Sequence, residues 1–537
     1  MQGHVLYNIV PKMTDTTNKK ERAHEETAKP ELELTESVVA NDNNNDDDDE
    51  VLENKMENQD EPTHVTTNLL HSINVVEAHK HKDYGGAKGH DEDEQAKKVK
   101  QKRQRFHVDH LKDLFENEMD AGYVPYNETN AEVVKRFCSK MHEDDQPFYI
   151  VNLSHFARQY YQWIHYLARV KPFFAVKSNP SAFIIKILGH IGAGFDCASV
   201  DELDLVLSMC SNIDCGKRII YAHPCKPISH MKYFRDKGVE MTVVDNEDEL
   251  HKLKEHWPNA KVLVRLKTND SHSKSPFSTK FGANECEIRR LLTLAKQLDI
   301  HLVGCSFHVG SRCYDINVYK EALEFARKIF DIVHDEEYGF QFSIIDIGGG
   351  FTGHNWDKPS FPEVAQSIHE MINKLFPEKK GYQLMAEPGR YFSSGDTILV
   401  CSIIARRLHN KEYSSKEEIS EAQKEKTKEK ALIESAENIY YINDGIYGTF
   451  NAIVFDHKVF IVHYLTKSND KQIPEQYKSV IFGPTCDSID CIAHSIDLPL
   501  LNVGDRLWFP DVGSYTNASA SSFNGFKTKK YFFIWRN

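Results

Sequence analysis

Long apolar runs are missing from this 537-residue sequence. None approaches the ~18 residues that a bilayer-spanning helix needs. Met1 to Val10 hold only a short mixed apolar stretch, without the basic-then-apolar order of a secretory signal. Cysteine is sparse and odd in number: there are 11, several inside apolar strand-like runs, as at Cys197, Cys305 and Cys401. A disulfide scaffold would place them in the loops of a small secreted domain. Cys210 and Cys215 have no His or Cys pair of zinc spacing beside them. The reading is free thiols in a reducing, cytoplasmic compartment and no structural metal. An excess of positive charge is also lacking. The net charge of -14 argues against generic affinity for nucleic acid or an anionic membrane, although much of the acidity lies in one N-terminal run.

What is present suffices for a large core: 40% of residues are hydrophobic and 27% charged. The core does not begin at the N-terminus. Residues 1–105 include Asn41 to Asn45 running into Asp46 to Glu50, a stretch that repels itself and buries little. This tail is expected to be disordered. It ends in a basic cluster, Lys97 to Arg105, read as a solvated charge cluster or as a nuclear-import or RNA-binding signal. A second charged segment, residues 411–430, reads as a surface insertion.

Between these lies a regular alternation. Short apolar strands are predicted at Phe173–Lys177, Gly194–Ala198, Ile219–Ala222, Met241–Val244, Val262–Leu266, Leu302–Val309, Ile344–Ile347 and Leu384–Ala386. Helical patterns fill most gaps, for instance Val200–Met209, Glu247–His256, Cys286–Gln297, Val318–Val333 and Phe361–Leu375. Alternating strands and helices argue for an α/β fold with a parallel sheet, and eight such units close most naturally into a (β/α)8 TIM-type barrel. An open doubly wound sheet is the alternative. After Arg390 the helical gaps disappear. Ile398–Ala405, Tyr440–Asn443, Val459–Tyr464, Arg506–Phe509 and Tyr531–Trp535 read as a mainly antiparallel β-sheet domain. The expected organisation is a tail (1–105), N-terminal strands joining the β domain (106–153), the barrel (154–392) and the C-terminal β domain (393–537).

Catalytic groups of such barrels sit where strands end. Lys177 closes the first strand. Such a lysine either snorkels into solvent or sits half-desolvated at a pocket mouth, where it sheds a proton and attacks a carbonyl. Asp196, Glu202, Arg265, His308, Ser311, Asp346 and Glu387 fall at or beyond other strand ends. Gly348-Gly349-Gly350 is either a flexible turn or a set of backbone N–H groups facing a phosphate, with Gly389 offering a second set. Glu387 either pairs with Arg390 or faces a pyridine nitrogen. His308 is a base, a ring stacked on a flat cofactor, or a hydrogen-bonded core residue.

Seven segments in order, Pro172–Asn179 (PFFAVKSN), Gly194–Ser199 (GFDCAS), Ser306–Ser311 (SFHVGS), Asp346–Phe351 (DIGGGF), Ala386–Tyr391 (AEPGRY), Asn443–Phe450 (NDGIYGTF) and Gly483–Asp487 (GPTCD), resemble the eukaryotic ornithine decarboxylases. These are alanine-racemase-like pyridoxal-phosphate enzymes built from a (β/α)8 barrel and a β-sheet domain. The resemblance runs from about Phe106 to the C-terminus and implies decarboxylation of L-ornithine to putrescine. By the same resemblance, Lys177 is the Schiff-base lysine, and His308 stacks on the cofactor. Ser311, Gly348, Gly349, Gly350, Gly389, Arg390 and Tyr515 form the phosphate site, and Pro388 is a further cofactor-binding residue. Glu387 partners the pyridine nitrogen, with Asp196, Glu202 and Arg265 as polar groups around Lys177 and the ring. Cys486 is the proton donor. Asp487, Phe455 and Asp456 bind substrate, Phe455 standing where many relatives have Tyr. The family further implies a homodimer with active sites shared between subunits, an ion pair of Lys280 with Asp490 across it, and antizyme as a partner. Asn269 to Thr279 looks like a mobile lid.

Overall fold

The computed structural model describes residues 122–536, apart from 126, 142–143, 272, 335–337, 355–356, 409–432, 434 and 466–473. The acidic tail, its basic cluster and the 411–430 insertion lie outside the described residues.

The chain enters through β1 (Gly122–Val124) and β2 (Phe148–Asn152). Between them lies a helix, Asn130–Lys140, that begins at a capping box: Thr129 accepts from Glu132 N, and the Glu132 carboxylate accepts from Thr129 N at 2.7 Å. The sequence reading missed this helix. Then come β3 (Val170–Ala175), β4 (Gly194–Asp196), β5 (Ile219–Tyr221), β6 (Met241–Val244), β7 (Lys261–Leu266), β8 (Ser273–Ser275), β9 (Leu302–Phe307), β10 (Ser311–Cys313), β11 (Ile344–Asp346) and β12 (Gln383–Ala386). All but β8 and β10 join in a closed, all-parallel barrel in which β12 pairs with β3. β8 and β10 form a separate antiparallel ribbon. Each of the eight expected barrel strands is present, and the open-sheet alternative is excluded.

Phe173, Ile220, Met241, Val243, Leu263, Val303, Ile344 and Met385 form one buried cluster of barrel side chains. A larger cluster packs the barrel against its helices. Two of those helices start at capping boxes that are legible in sequence, Asn284 with Glu287 and Ser360 with Glu363.

The remaining strands are β13 (Thr397–Leu408), β14 (Asn438–Ile442), β15 (His463–Leu465), β16 (Gln476–Phe482), β17 (Cys491–Pro499), β18 (Arg506–Phe509) and β19 (Lys530–Arg536). With β1 and β2 they make a nine-stranded sheet, mainly antiparallel. The predicted strand Val459–Tyr464 is corrected: only His463–Leu465 is paired, while Phe460 turns its ring onto Phe450 at 4.8 Å. The β16–β17 pair was not anticipated. Its segments mix polar and apolar residues without clean alternation, and two register shifts interrupt the pairing. No helix among the described residues is long and apolar enough to cross a membrane.

Candidate active site

The C-terminal ends of the barrel strands surround a cavity of about 340 Å³ lined by Lys177, Arg265, His308, Ser311, Glu387 and Arg390, among others. Lys177 is one step further out than its sequence suggests. β3 stops at Ala175, and Val176–Ser178 form a 3-10 turn that swings the side chain over the barrel mouth. The turn is anchored on both sides, by Tyr515 N donating to Ser178 O at 2.9 Å and by Ala175 N donating to Pro388 O at 3.3 Å.

The Lys177 ammonium pairs with Asp196, the buried last residue of β4. Burial works against its charge. The carboxylates of Asp196 and Glu387 outweigh that and hold the amine above the ordinary lysine range. The expectation of an amine that sheds its proton by desolvation is therefore corrected: in this pocket a carboxylate keeps it charged.

Three carboxyl groups converge beside it. Asp346, ending β11, accepts from Gly348 N at 2.9 Å, and burial raises it to about 6. Burial, followed by the charge of Asp346, pushes Glu387 well above the usual carboxylate range. One oxygen each of Asp196 and Asp346 is buried without a hydrogen-bond partner. Such atoms are costly unless a donor arrives. Glu202 lies behind, its carboxylate accepting from Ala198 N at 2.6 Å and raised by burial to about 6. Half-buried Arg265 stacks on Phe281 at 5.0 Å. His308 is held far below the ordinary imidazole range by burial, then by Arg265 and Lys177. It is neutral, with Nδ1 accepting from Gly310 N at 3.1 Å and the Phe277 ring edge-on at 4.8 Å. As a neutral ring it suits stacking better than proton transfer.

The opposite end of the cavity is cationic and open-backboned. Arg390 donates Nε to Ser311 Oγ at 2.9 Å and lies over the Tyr515 ring at 4.4 Å. Gly348 has a φ of +62°, and a Cβ there would stand 2.0 Å from Phe307 O. Only glycine fits that turn. A Cβ on Gly349 would meet His308 Nε2 at 2.7 Å, and one on Gly389 would meet Ser178 Cβ at 2.9 Å. The result is a bare cradle of backbone beside a guanidinium, suited to a phosphate. Partnerless carboxylate oxygens at one end and a cationic cradle at the other match a flat group with a protonated ring nitrogen and a phosphate arm. The residues present fit pyridoxal phosphate.

A family model described as the pyridoxal binding domain of pyridoxal-dependent decarboxylases matches residues 153–394. Antizyme inhibitor 2 of Xenopus laevis is 42% identical over 72% of this chain and 80% of its own length. The chain belongs to the pyridoxal-dependent decarboxylases. The ornithine decarboxylase of Mus musculus is 38% identical over 73% of this decarboxylase-family chain and 81% of its own. The arginine decarboxylase of Paramecium bursaria Chlorella virus superimposes with a TM-score of 0.66 at 30% identity, covering 75% of this chain and 99% of that one. The cofactor of the family is pyridoxal phosphate.

Other expected residues fall elsewhere on this chain. Phe455 is 71% exposed. Cys486 is exposed, its N–H donating to Asn524 Oδ1 at 3.1 Å, and Asp487 accepts from the Tyr447 hydroxyl. None of the three lines the cavity of its own chain. Lys280 does line it, with Nζ 5.0 Å from the Phe281 ring centre. The Lys280–Asp490 ion pair expected between subunits is not made within one chain, among the described residues. Asp490 is 1% exposed, and its carboxylate is consumed by Ile446 N at 2.8 Å and by Thr485 N and Oγ1 at 3.0 and 2.7 Å. Asp456 is buried behind two arginines, Arg390 and Arg312. Arg312, Phe277 and Phe281 line the cavity and were not singled out; Phe277 lies within the Ser-rich loop that reads as polar, and Phe281 just beyond it.

Proposed function

We propose that this chain decarboxylates L-ornithine to putrescine and CO2 with pyridoxal phosphate as cofactor. The carrying observation is the polarised cavity, acidic at one end and cationic at the other, with Lys177 on its rim. Lys177 would hold the cofactor carbonyl and Glu387 its ring nitrogen, with His308 against its face. Ser311, Gly348 to Gly350, Gly389, Arg390 and Tyr515 would hold its phosphate. When bound, the cofactor supplies an electron sink for the charge left as CO2 departs.

The chain's own residues do the rest. Asp196 fixes the Lys177 ammonium and is placed to take its proton. Phe277 and Phe281 wall off water. Cys486 returns a proton to the substrate Cα, and Asp456 and Asp487 face its distal ammonium. Cys486 and Asp487 are assigned to the pocket of a second copy in a two-fold dimer. Support comes from the exposure of Cys486 on a surface that also shows Ile489, Phe523 and Phe526, with half-buried Asp487 beside it. The homodimer is placed in the cytoplasm, with antizyme as a protein partner; the name of the Xenopus relative supports the latter.

Carboxyl-labelled ornithine, lysine and arginine supplied to the pyridoxal-phosphate-loaded protein test the substrate. Ornithine is expected to release CO2 at least tenfold faster than the other two. Equal turnover of lysine would remove the substrate assignment. A second reading is an antizyme-binding relative without turnover, favoured by the burial of Asp456 behind arginines. It requires no CO2 release from any of the three, together with antizyme binding.

A further inference from the structure

Arg312 is a basic residue of the cavity wall that no step above uses. It sits on β10 with a φ of +56°, in the left-handed region. A side chain is disfavoured there, so such a residue persists only where something offsets the strain. The offset is visible. Nη2 donates to Asp456 Oδ2 at 2.8 Å, and Nη1 donates to the Asp456 carbonyl at 3.3 Å. Arg390 takes the other carboxylate oxygen. Both oxygens of Asp456 are thereby occupied by guanidinium groups, and the aspartate is 6% exposed. Arg312 and Arg390 line the cavity; Asp456 does not. A third cation, half-buried Lys458, lies near all three and donates to the Asp511 carbonyl.

The roles of the two arginines separate once a phosphate is considered. Arg390 also bonds Ser311 and stacks on Tyr515, at the phosphate end of the cavity. Arg312 shows no such commitment. Its guanidinium does for Asp456 what a substrate ammonium would do: it brings a positive charge and N–H donors to the same carboxylate. An incoming ammonium meets an acceptor already satisfied and a fixed charge of its own sign.

We propose that Arg312 is a specificity-determining residue, an internal stand-in for the distal ammonium of the substrate that must be displaced from Asp456 before a diamine end can dock. The inference rests on the reading of Asp456 as the partner of that ammonium. It goes further in assigning a competitor that weakens diamines selectively. Amines without a second charge have no reason to contact the pair and are unaffected.

The test compares wild type, Arg312→Gly and Arg312→Gln, all loaded with pyridoxal phosphate. Glycine suits the left-handed backbone, so that variant is expected to fold normally. Glutamine keeps size without charge. Putrescine and n-butylamine binding are read by calorimetry, with cofactor loading checked by absorbance. Both variants are expected to bind putrescine at least tenfold more tightly, with n-butylamine unchanged. Where ornithine is turned over, KM should fall by a similar factor with kcat within about twofold. Putrescine affinity that is unchanged or weaker in both variants overturns the proposal. So does equal tightening of n-butylamine, which would mean general opening of the cavity. Asp456→Asn separates the premise. If it weakens putrescine while the Arg312 variants change nothing, the distal-amine reading stands and the competitor is wrong. If none of the three variants alters putrescine binding, the distal-amine reading falls as well.

Discussion

Lys177 shows how much one residue's surroundings decide. Two readings of it were open from sequence, a snorkelling strand-end amine and a reactive one. Neither included the buried carboxylate that holds it charged; the family resemblance alone put Asp196 near Lys177, and the pairing of β3 with β4 is what brings it there. Borohydride reduction of the loaded protein, followed by peptide mapping, should place the pyridoxyl label on the Lys177 peptide. Lys177→Ala should lose the label and at least ~10³-fold in activity. Label retained on another lysine would refute the assignment.

Asp346 makes a pH prediction. Its folded value of about 6 exceeds the ordinary 3.8. Its contribution to cofactor-free stability is therefore fully present below about pH 4 and is lost as pH rises through 6. Asp346→Asn should reduce that fall by on the order of 1 kcal/mol and leave the variant more stable than wild type at pH 7 without cofactor. Thermal melts from pH 4 to 7 read it directly, and an unchanged slope counts against the assignment. Glu202 and Asp511, both raised to about 6, sustain a residual slope.

At the scale of elements, the barrel was legible and the sheet only partly so. Parallel strands buried on both faces read as compact apolar runs flanked by amphipathic helices, and these survive inspection one segment at a time. β16 and β17 carry their meaning in their pairing, which a single strand does not display. The loop after β7 is a further case. It reads as a polar lid, yet Asp270 ties it down, accepting from Ser278 N at 2.8 Å as well as from Phe277 N and the Ser278 hydroxyl. Its β8 pairs with β10, the strand that bears Arg312. Asp270→Ala is expected to raise KM several-fold and to speed backbone hydrogen exchange over residues 273–281, with a local cost of about 1–3 kcal/mol. Unaltered exchange would show that the loop is held by something else.

For the whole molecule, motif order carried the family, while placement in space sorted the residues. Lys177, His308, Ser311, Glu387, Gly389 and Arg390 meet in one cavity; Phe455, Cys486 and Asp487 stand outside it. Periodicity and strand position do not tell these sets apart; only the family resemblance, which sends Cys486 and Asp487 into the pocket of a second subunit, does so, and Phe455 lies outside the seven quoted motifs. If the second set completes a neighbour's pocket, mixing inactive Lys177→Ala and Cys486→Ala proteins restores activity. A random one-to-one mixture should reach about a quarter of wild type, because half of its dimers carry one intact site. No recovery in exchanged dimers would remove the shared site.

The seam of the barrel has its own consequence. β3 is the first barrel strand to be synthesised and β12 the last, and they lie side by side. Lys177 follows one and Glu387 the other. A nascent chain that has not yet emitted β12 thus owns the lysine but neither the carboxylate nor the Arg390 end of the cradle. Retention of the vitamin-derived cofactor should begin only once synthesis has passed Arg390. Its yellow colour would then mark the moment at which the ring of strands shuts.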